Sequence, residues 1–276
     1  MKRKKAIGTF FSLAFIIFSC SLVLIPLYFT VLNSFKPYSE IAANIAAFPK
    51  NPTLANFKEA WKRLDFLRAL GNTLIVTVFS VTGTVVLSGM TGYWITRHQN
   101  WFTKICFVLI LCGMSVPFQC IMITFAKMIG LMKMGNQYFG VIMSNWTFSL
   151  PMSVFLVTGA VKSLPIEIEE SAVIDGCSPM NLYWRIVFPL TKGTMFTIAS
   201  LEVLKYWNNY LMTQFILTKP QLRTIQIAMM SLFNEALFSW DVAVAAVTLS
   251  ILPLFIFFVI AQKQVLSSAT VGAVKG

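Results

Sequence analysis

Residues able to do chemistry are few in this sequence, and they gather in two places. In the first, Glu167, Glu169, Glu170 and Asp175 crowd into the segment 162–193. In the second, Glu202 and Lys205 stand three apart, on one face of any helix that carries them, and Asn208 and Asn209 follow. Neither place offers the clustered His, Asp or Ser constellation that an enzyme needs. The single histidine, His98, lies in the polar stretch Thr96-Arg97-His98-Gln99-Asn100 and reads as a solvated loop residue. The five cysteines are Cys20, Cys106, Cys112, Cys120 and Cys177; four lie in apolar runs and none forms a CxxC pair, so they read as buried free thiols. No catalytic residue, metal ligand or cofactor is assigned.

The elements that must position these groups follow from composition. Hydrophobic residues make up 57% of the chain and charged residues only 12%, about half the share of a soluble globular domain. That leaves too little charge to cover a water-facing surface, so lipid is the expected solvent. The net charge of +12 is spread between apolar runs rather than over one exposed face, which reads as membrane topology and not as nucleic-acid binding.

A spanning helix needs about 20 mostly apolar residues, because it must satisfy its own backbone in hydrocarbon. Six stretches qualify: Gly8–Leu32, Leu70–Ile95, Ile105–Phe125, Phe139–Val161, Met195–Leu217 and Val242–Ala261. The expected fold is thus an all-α integral membrane protein. Residues 1–7 form an amino-terminal segment, 8–261 a six-span domain and 262–276 a tail. The basic cluster Lys2-Arg3-Lys4-Lys5 holds the amino terminus in the cytoplasm, and an even span count returns the carboxyl terminus there. The first apolar run is too long for a signal-peptide core and reads as a retained span.

The segment 33–69 then lies outside. Its Pro37, Pro49 and Pro52 break regular structure, and Thr53 caps a short amphipathic helix bearing Leu54, Phe57 and Trp61. Pro117 and Pro151 sit inside spans three and four, where a kink serves either a water-lined path or plain packing.

The segment 162–193 carries the most local information. Pro165 suits a first helical turn, and Glu167, Glu169 and Glu170 follow where the helix dipole favours negative charge. Gly176 stops this helix, Ser178 caps a second one with Pro179 at its first position, and Pro189 ends that one. Leu182, Tyr183, Trp184 and Ile186 make the second half more apolar than a free loop. An acidic-then-apolar elbow on the cytoplasmic face reads as a docking surface.

This elbow resembles the EAA loop of ABC importer permeases: Glu-Ala-Ala, three residues, Gly, nine residues, then Ile-x-Leu-Pro. Here the same spacing gives Glu170-Ser171-Ala172, Gly176 and Ile186-Val187-Phe188-Pro189. It departs in Ser171, in Phe188, and in Gly193 where many relatives carry proline. Pro52-Thr53-Leu54-Ala55-Asn56-Phe57 is similar to the outer segment of maltose-type carbohydrate permeases. Trp207-Asn208-Asn209-Tyr210 is similar to their Trp-Asn motif, and Val271-Gly272-Ala273-Val274-Lys275-Gly276 to their tail. The smaller permease of such systems, a type I ABC importer permease, is the best match.

The resemblance implies a sugar importer working by alternating access in a bacterial plasma membrane. Its partners would be a second permease in a heterodimer, two ATP-binding cassette ATPase subunits and an extracytoplasmic sugar-binding protein. No GxxxxGK[ST] occurs in the chain, so hydrolysis belongs on another polypeptide. Glu169, Glu170, Ala172, Asp175, Gly176, Tyr183, Ile186 and Pro189 would couple to the ATPase, with the acidic helix and the Tyr183–Trp184 pair as the contacts. Glu202, Lys205, Asn208 and Asn209 line the solute path on one reading, and Glu202–Lys205 is a self-neutralising packed pair on the other. A six-span secondary transporter is the rival function. It would couple through several intramembrane acids and often shows repeated halves, whereas this chain has one such acid, Glu202, and no clear repeat.

Overall fold

The computed structural model describes residues 2–233 and 239–273, with side chains over 11–233 and 239–262. Among these residues all regular structure is helical. The chain divides into two compact units: Met1–Leu67 with Ala228–Pro253, and Arg68–Ile227 with Leu254–Gly276.

The first unit begins with α1, Lys2–Ser34, whose apolar side chains from Phe11 onward are almost all exposed within the isolated chain. Such a surface is stable only against lipid or another subunit. Two short helices follow, α2 (Tyr38–Ala43) and α3 (Ala55–Arg63). They are knitted by a buried lysine. Lys36 Nζ donates to Asn33 Oδ1 (2.9 Å) and to the carbonyls of Asn44 (3.2 Å) and Ile45 (3.1 Å), so its charge is met by three oxygens. Asn56 ties α3 back to the carbonyls of Ser34 (3.1 Å) and Lys36 (2.7 Å). The Glu40 carboxylate accepts from the backbone of Lys50 (2.9 Å) and Asn51 (3.0 Å), and the first of these bonds holds its pKa below the usual carboxylate value. The expected cap is displaced by one residue: Leu54 is the N-cap, and Thr53 Oγ1 accepts from Ala55 N (3.1 Å) instead. Phe57 packs on Phe35 and Trp61 on Phe66, while Leu54 points outward.

The second unit holds most of the remaining helices. α4 (Phe66–Arg97) leads into it, followed by α5 (Trp101–Cys112), α6 (Phe118–Leu131) and α7 (Tyr138–Lys162). Pro151 lies inside α7, which runs on without a break. The segment 162–193 contains α8 (Ile166–Ile174), α9 (Pro179–Leu182) and α10 (Phe188–Leu190), with one π turn, Tyr183–Val187, between the last two. Then come α11 (Lys192–Trp207) and α12 (Leu211–Ile216). α13 (Ile225–Phe233) and α14 (Trp240–Ala273) complete the chain. One core joins Val76, Phe125, Ile129, Val141, Met212 and Ile216, and a second joins Val157, Val161, Tyr183, Val187, Met195 and Ile198.

Among the described residues four helical stretches are long and apolar enough to cross a membrane, and the count is six when each of two bent pairs is taken as one span. Two expected spans differ from a single rod. Residues expected as Ile105–Phe125 bend by 104° between Ser115 and Phe118. Pro117 has no N–H to donate and holds Val116 extended, at φ −96° and ψ 108°. Residues expected as Met195–Leu217 break at Asn208–Tyr210, between α11 and α12. There Asn208 Nδ2 turns back to the Leu204 carbonyl (2.9 Å) and Asn209 Nδ2 leaves for Asn145 Oδ1 (3.1 Å), so the side chains compete with the helix ladder. The expected tail from 262 continues α14 as far as Ala273, and residues 274–276 lie outside those described.

Candidate functional site

The segment 162–193 is built as its sequence dictates, with two exceptions. Pro165 is the N-cap of α8 rather than its first residue, and Glu167 and Glu169 fall in the first turn. Gly176 takes φ +81°, a conformation that L side chains resist. Its N–H meets the Val173 carbonyl (3.0 Å), and Cys177 N–H meets that of Ala172 (3.0 Å), the paired closure of a Schellman end. Ser178 Oγ caps the next helix, with Pro179 at its start. Pro189, however, does not end that helix, which runs on through the π turn to Leu190. A π turn shifts the carbonyl that a proline ring would otherwise strike, so Pro189 is absorbed. The helical run Pro179–Leu190 then meets α11 at 76°.

Burial divides the segment into two faces. Glu169, Ala172, Leu182, Tyr183 and Val187 are buried, and Ile186 is half-buried. Glu170, Asp175, Gly176 and Pro189 are exposed, beside an apolar ridge of Val173, Ile174 and Met180. Tyr183 therefore cannot be an external contact. Its ring packs 5.6 Å from that of Tyr93, and a Cβ on Gly89 would come within 2.2 Å of its hydroxyl. That hydroxyl has no hydrogen-bond partner among the described residues. Only Trp184 of the expected pair faces outward.

The buried face is locked by a guanidinium. Arg97, the last residue of α4, donates to Glu169 Oε1 through Nε (2.9 Å) and Nη2 (2.6 Å). Nη2 also reaches the carbonyls of Val161 and Leu164, each at 3.3 Å. Tyr93 OH donates to Glu169 Oε2 (3.0 Å). One carboxylate thus joins α8 to the ends of α4 and α7, in a charge-assisted cluster with its donors and acceptors matched. Arg97 and Tyr93 escaped the sequence reading, because no motif spacing links position 97 to position 169.

The second polar site lies among α4, α7 and α11. Glu202 is buried, and its Oε2 accepts from Ser149 Oγ (2.6 Å). Lys205 Nζ donates to that same Ser149 oxygen (2.8 Å) and stands 3.6 Å from Glu202. The lysine side chain is 48% exposed and the glutamate 7%, so the pair is lopsided. Behind it, the Tyr206 hydroxyl bonds with Thr84 Oγ1 (2.7 Å) and donates to the Asn145 carbonyl (3.2 Å), and Asn145 Nδ2 donates to Ser80 Oγ (2.9 Å). Asn209 joins this network, whereas Asn208 is exposed and accepts from Gln226 Nε2 (3.3 Å). Glu202, Lys205 and Asn209 thus enter this polar region, and Asn208 stays outside it. Ser149, Tyr206 and Asn145 were missed because a hydroxyl or amide inside an apolar span has no distinguishing spacing. Among the described residues no group of His, Cys, Asp and Glu is placed to hold a metal.

These sites occur in a chain with clear relatives. The family described as "binding-protein-dependent transport system inner membrane component" matches residues 84–269. A probable starch degradation products transport system permease protein of Thermoanaerobacterium thermosulfurigenes is 34% identical over 250 residues, 91% of each chain. The melibiose/raffinose/stachyose import permease protein of Bacillus subtilis is 30% identical, again over 91% of each. Among solved structures, a chain of a bacterial ABC transporter involved in import of the acidic polysaccharide alginate superposes with a TM-score of 0.79. It shares 19% identity and covers 95% of this chain and 98% of that one, a likeness of fold. The match sets aside a secondary transporter, since this component works with a binding protein and an ATPase carried on other chains. The chain belongs to the family of inner-membrane components of binding-protein-dependent ABC importers, and is a multi-pass permease of such a system rather than its ATPase.

Proposed function

We propose that this permease imports di- or oligosaccharides as one half of a heterodimer with a second permease, served by two ATPase subunits and an external sugar-binding protein. The sugar class is supported by the names of its relatives, which give starch degradation products for one and melibiose, raffinose and stachyose for another. Residues 1–7 and 262–276 face the cytoplasm on this reading, and so does the coupling segment 162–193 within the six-span domain 8–261. The alkaline cluster Lys2-Arg3-Lys4-Lys5 supports that orientation.

One observation carries the mechanism: the coupling segment has a clamped inner face and a free outer face. Glu170, Asp175, Ile174 and Met180 present acid and apolar surface to an ATPase cleft, while Glu169 and Tyr183 anchor the segment to α4 and α7. When the ATPases close, a segment so anchored carries these spans with it instead of bending alone. Nucleotide shifts the transporter only if the outer face makes different contacts in the two states. Glu170, Asp175, Gly176, Ile186 and Pro189 shape that face, with Ala172 packed beneath it.

Gly176→Pro tests the reading, because proline cannot adopt the positive φ at this turn. The variant should insert into the membrane at normal abundance, and the assembled importer should lose sugar uptake while its ATPase no longer responds to the sugar-loaded binding protein. Uptake of labelled raffinose or maltotriose at the normal rate would refute the coupling role.

A further inference from the structure

A small recess of about 130 Å³ opens where α4 and α7 end and α5 begins. Ile95, Thr96, Gln99, Thr103 and Thr158 line it, and Lys104 and Lys162 reach it from two different helices. We infer that this recess binds the phosphate headgroup of an anionic membrane lipid. The inference goes beyond the coupling role and does not depend on it.

The argument begins with charge. Arg97, next to Thr96 on α4, turns Nε and Nη2 to Glu169 and two carbonyls and does not line the recess. The side-chain ammonium groups of Lys104 and Lys162 have no hydrogen bond or ion pair among the described residues. The threonine hydroxyls are committed elsewhere: Thr96 donates to Gly92 O, Thr158 to Phe155 O and Thr103 to Asn100 O. The two ammonium groups are therefore the unpaired cationic donors that line the recess. The amino end of α5 faces the carboxyl ends of α4 and α7 here, so the net positive charge of the recess rests on the two lysines. Two uncompensated cations call for a group with net negative charge, so a zwitterionic headgroup fits poorly.

Depth then chooses between a lipid and a soluble anion. Trp101, Phe102 and Trp94 surround this end of the bundle and are 74%, 52% and 43% exposed. Exposed tryptophans at the end of a span mark headgroup level. Lysines there extend their stems along apolar surface and place their charge among lipid phosphates. Basic recesses between helix ends are a recurrent way to hold acidic lipids. A lipid held here would bridge α5 and α7 at the foot of α4.

Native mass spectrometry of the purified full-length chain in detergent gives the test. Phosphatidylglycerol and phosphatidylcholine with identical acyl chains are titrated separately. Phosphatidylglycerol should be retained preferentially, and Lys104→Gln or Lys162→Gln should each cut that preference roughly fivefold at low salt. The double glutamine variant should show no preference. Lys104→Arg with Lys162→Arg should keep it, and so should Lys219→Gln, which alters charge elsewhere. Equal retention of the two lipids by the native chain would overturn the proposal, as would a preference that survives in the double glutamine variant. Displacement of phosphatidylglycerol by millimolar inorganic phosphate would also overturn it, by assigning the recess to a free anion.

Discussion

Two buried glutamates define two kinds of polar site in this permease. Glu169 is held by both edges of a guanidinium fork and by a tyrosine, and its cation in turn grips two carbonyls from the end of α7 and the loop after it. Glu202 has a lysine 3.6 Å away that shares a serine with it and is itself half-exposed. The difference lies in the cation. A planar guanidinium fixes geometry between three chain segments, whereas an ammonium on a flexible stem can leave while the serine stays. The first site is a joint that ties three chain segments together. The second is a brace with one removable member.

Breaking the joint should give the largest effect. Arg97→Met leaves Glu169 buried and unpaired, which destabilises by about 3–5 kcal/mol where a buried pair is halved. The amount of monodisperse protein recovered from membranes, followed through a thermal ramp, measures this. Adding Glu169→Leu removes the orphan charge and should recover most of the loss, because paired apolar replacements are often neutral. If Arg97→Met alone melts like the native chain, the pair is not a joint.

The brace should respond unequally to its two halves. We propose that Lys205 and Asn208, the exposed members, face the solute path and that Glu202 and Asn209 support them from behind. Lys205→Met should leave the stability within about 1 kcal/mol of native, since a half-exposed cation in a loose pair contributes little. It should nevertheless change the rate or selectivity of uptake across a sugar panel. Glu202→Gln should lower stability by about 1–2 kcal/mol through its shortened choice of partners at Ser149. A double variant, Glu202→Gln with Lys205→Met, that transports every sugar normally would remove these residues from the path.

The sequence made the ends of elements more legible than their interiors. The Gly176 stop, the Ser178 cap and Pro179 are local rules, and the turn obeys them. Spans one, two, four and six announce themselves by length and apolarity alone. The bend at Pro117 was legible from its proline, whereas Pro151, read the same way, leaves α7 unbroken. The break at Asn208 was hidden, because a window of apolar residues averages over one asparagine. The burial of Tyr183 was hidden for another reason. An aromatic pair in a loop reads as a surface, and only Gly89, distant in sequence, reveals the slot that receives it. Arg97 and Glu169 are legible singly as charges at element ends, yet their pairing is a tertiary fact.

Two tyrosines carry the same comparison down to a single oxygen. The Tyr206 hydroxyl bonds with Thr84 and the Asn145 carbonyl, while that of Tyr183 is buried against Gly89 with no partner among the described residues. Removing an oxygen that has partners strands those partners. Removing one that has none relieves its desolvation. Tyr206→Phe should therefore lower stability by about 1–2 kcal/mol, and Tyr183→Phe should be neutral or raise it by up to about 1 kcal/mol. Sugar-stimulated ATPase activity of the assembled importer adds a second readout. Tyr183→Phe keeps the ring that packs on Tyr93, so coupling should persist. Coupling lost in Tyr183→Phe at unchanged stability would mean that the hydroxyl finds a partner in the other transport state, and the anchor on α4 would then be a moving contact rather than a fixed one.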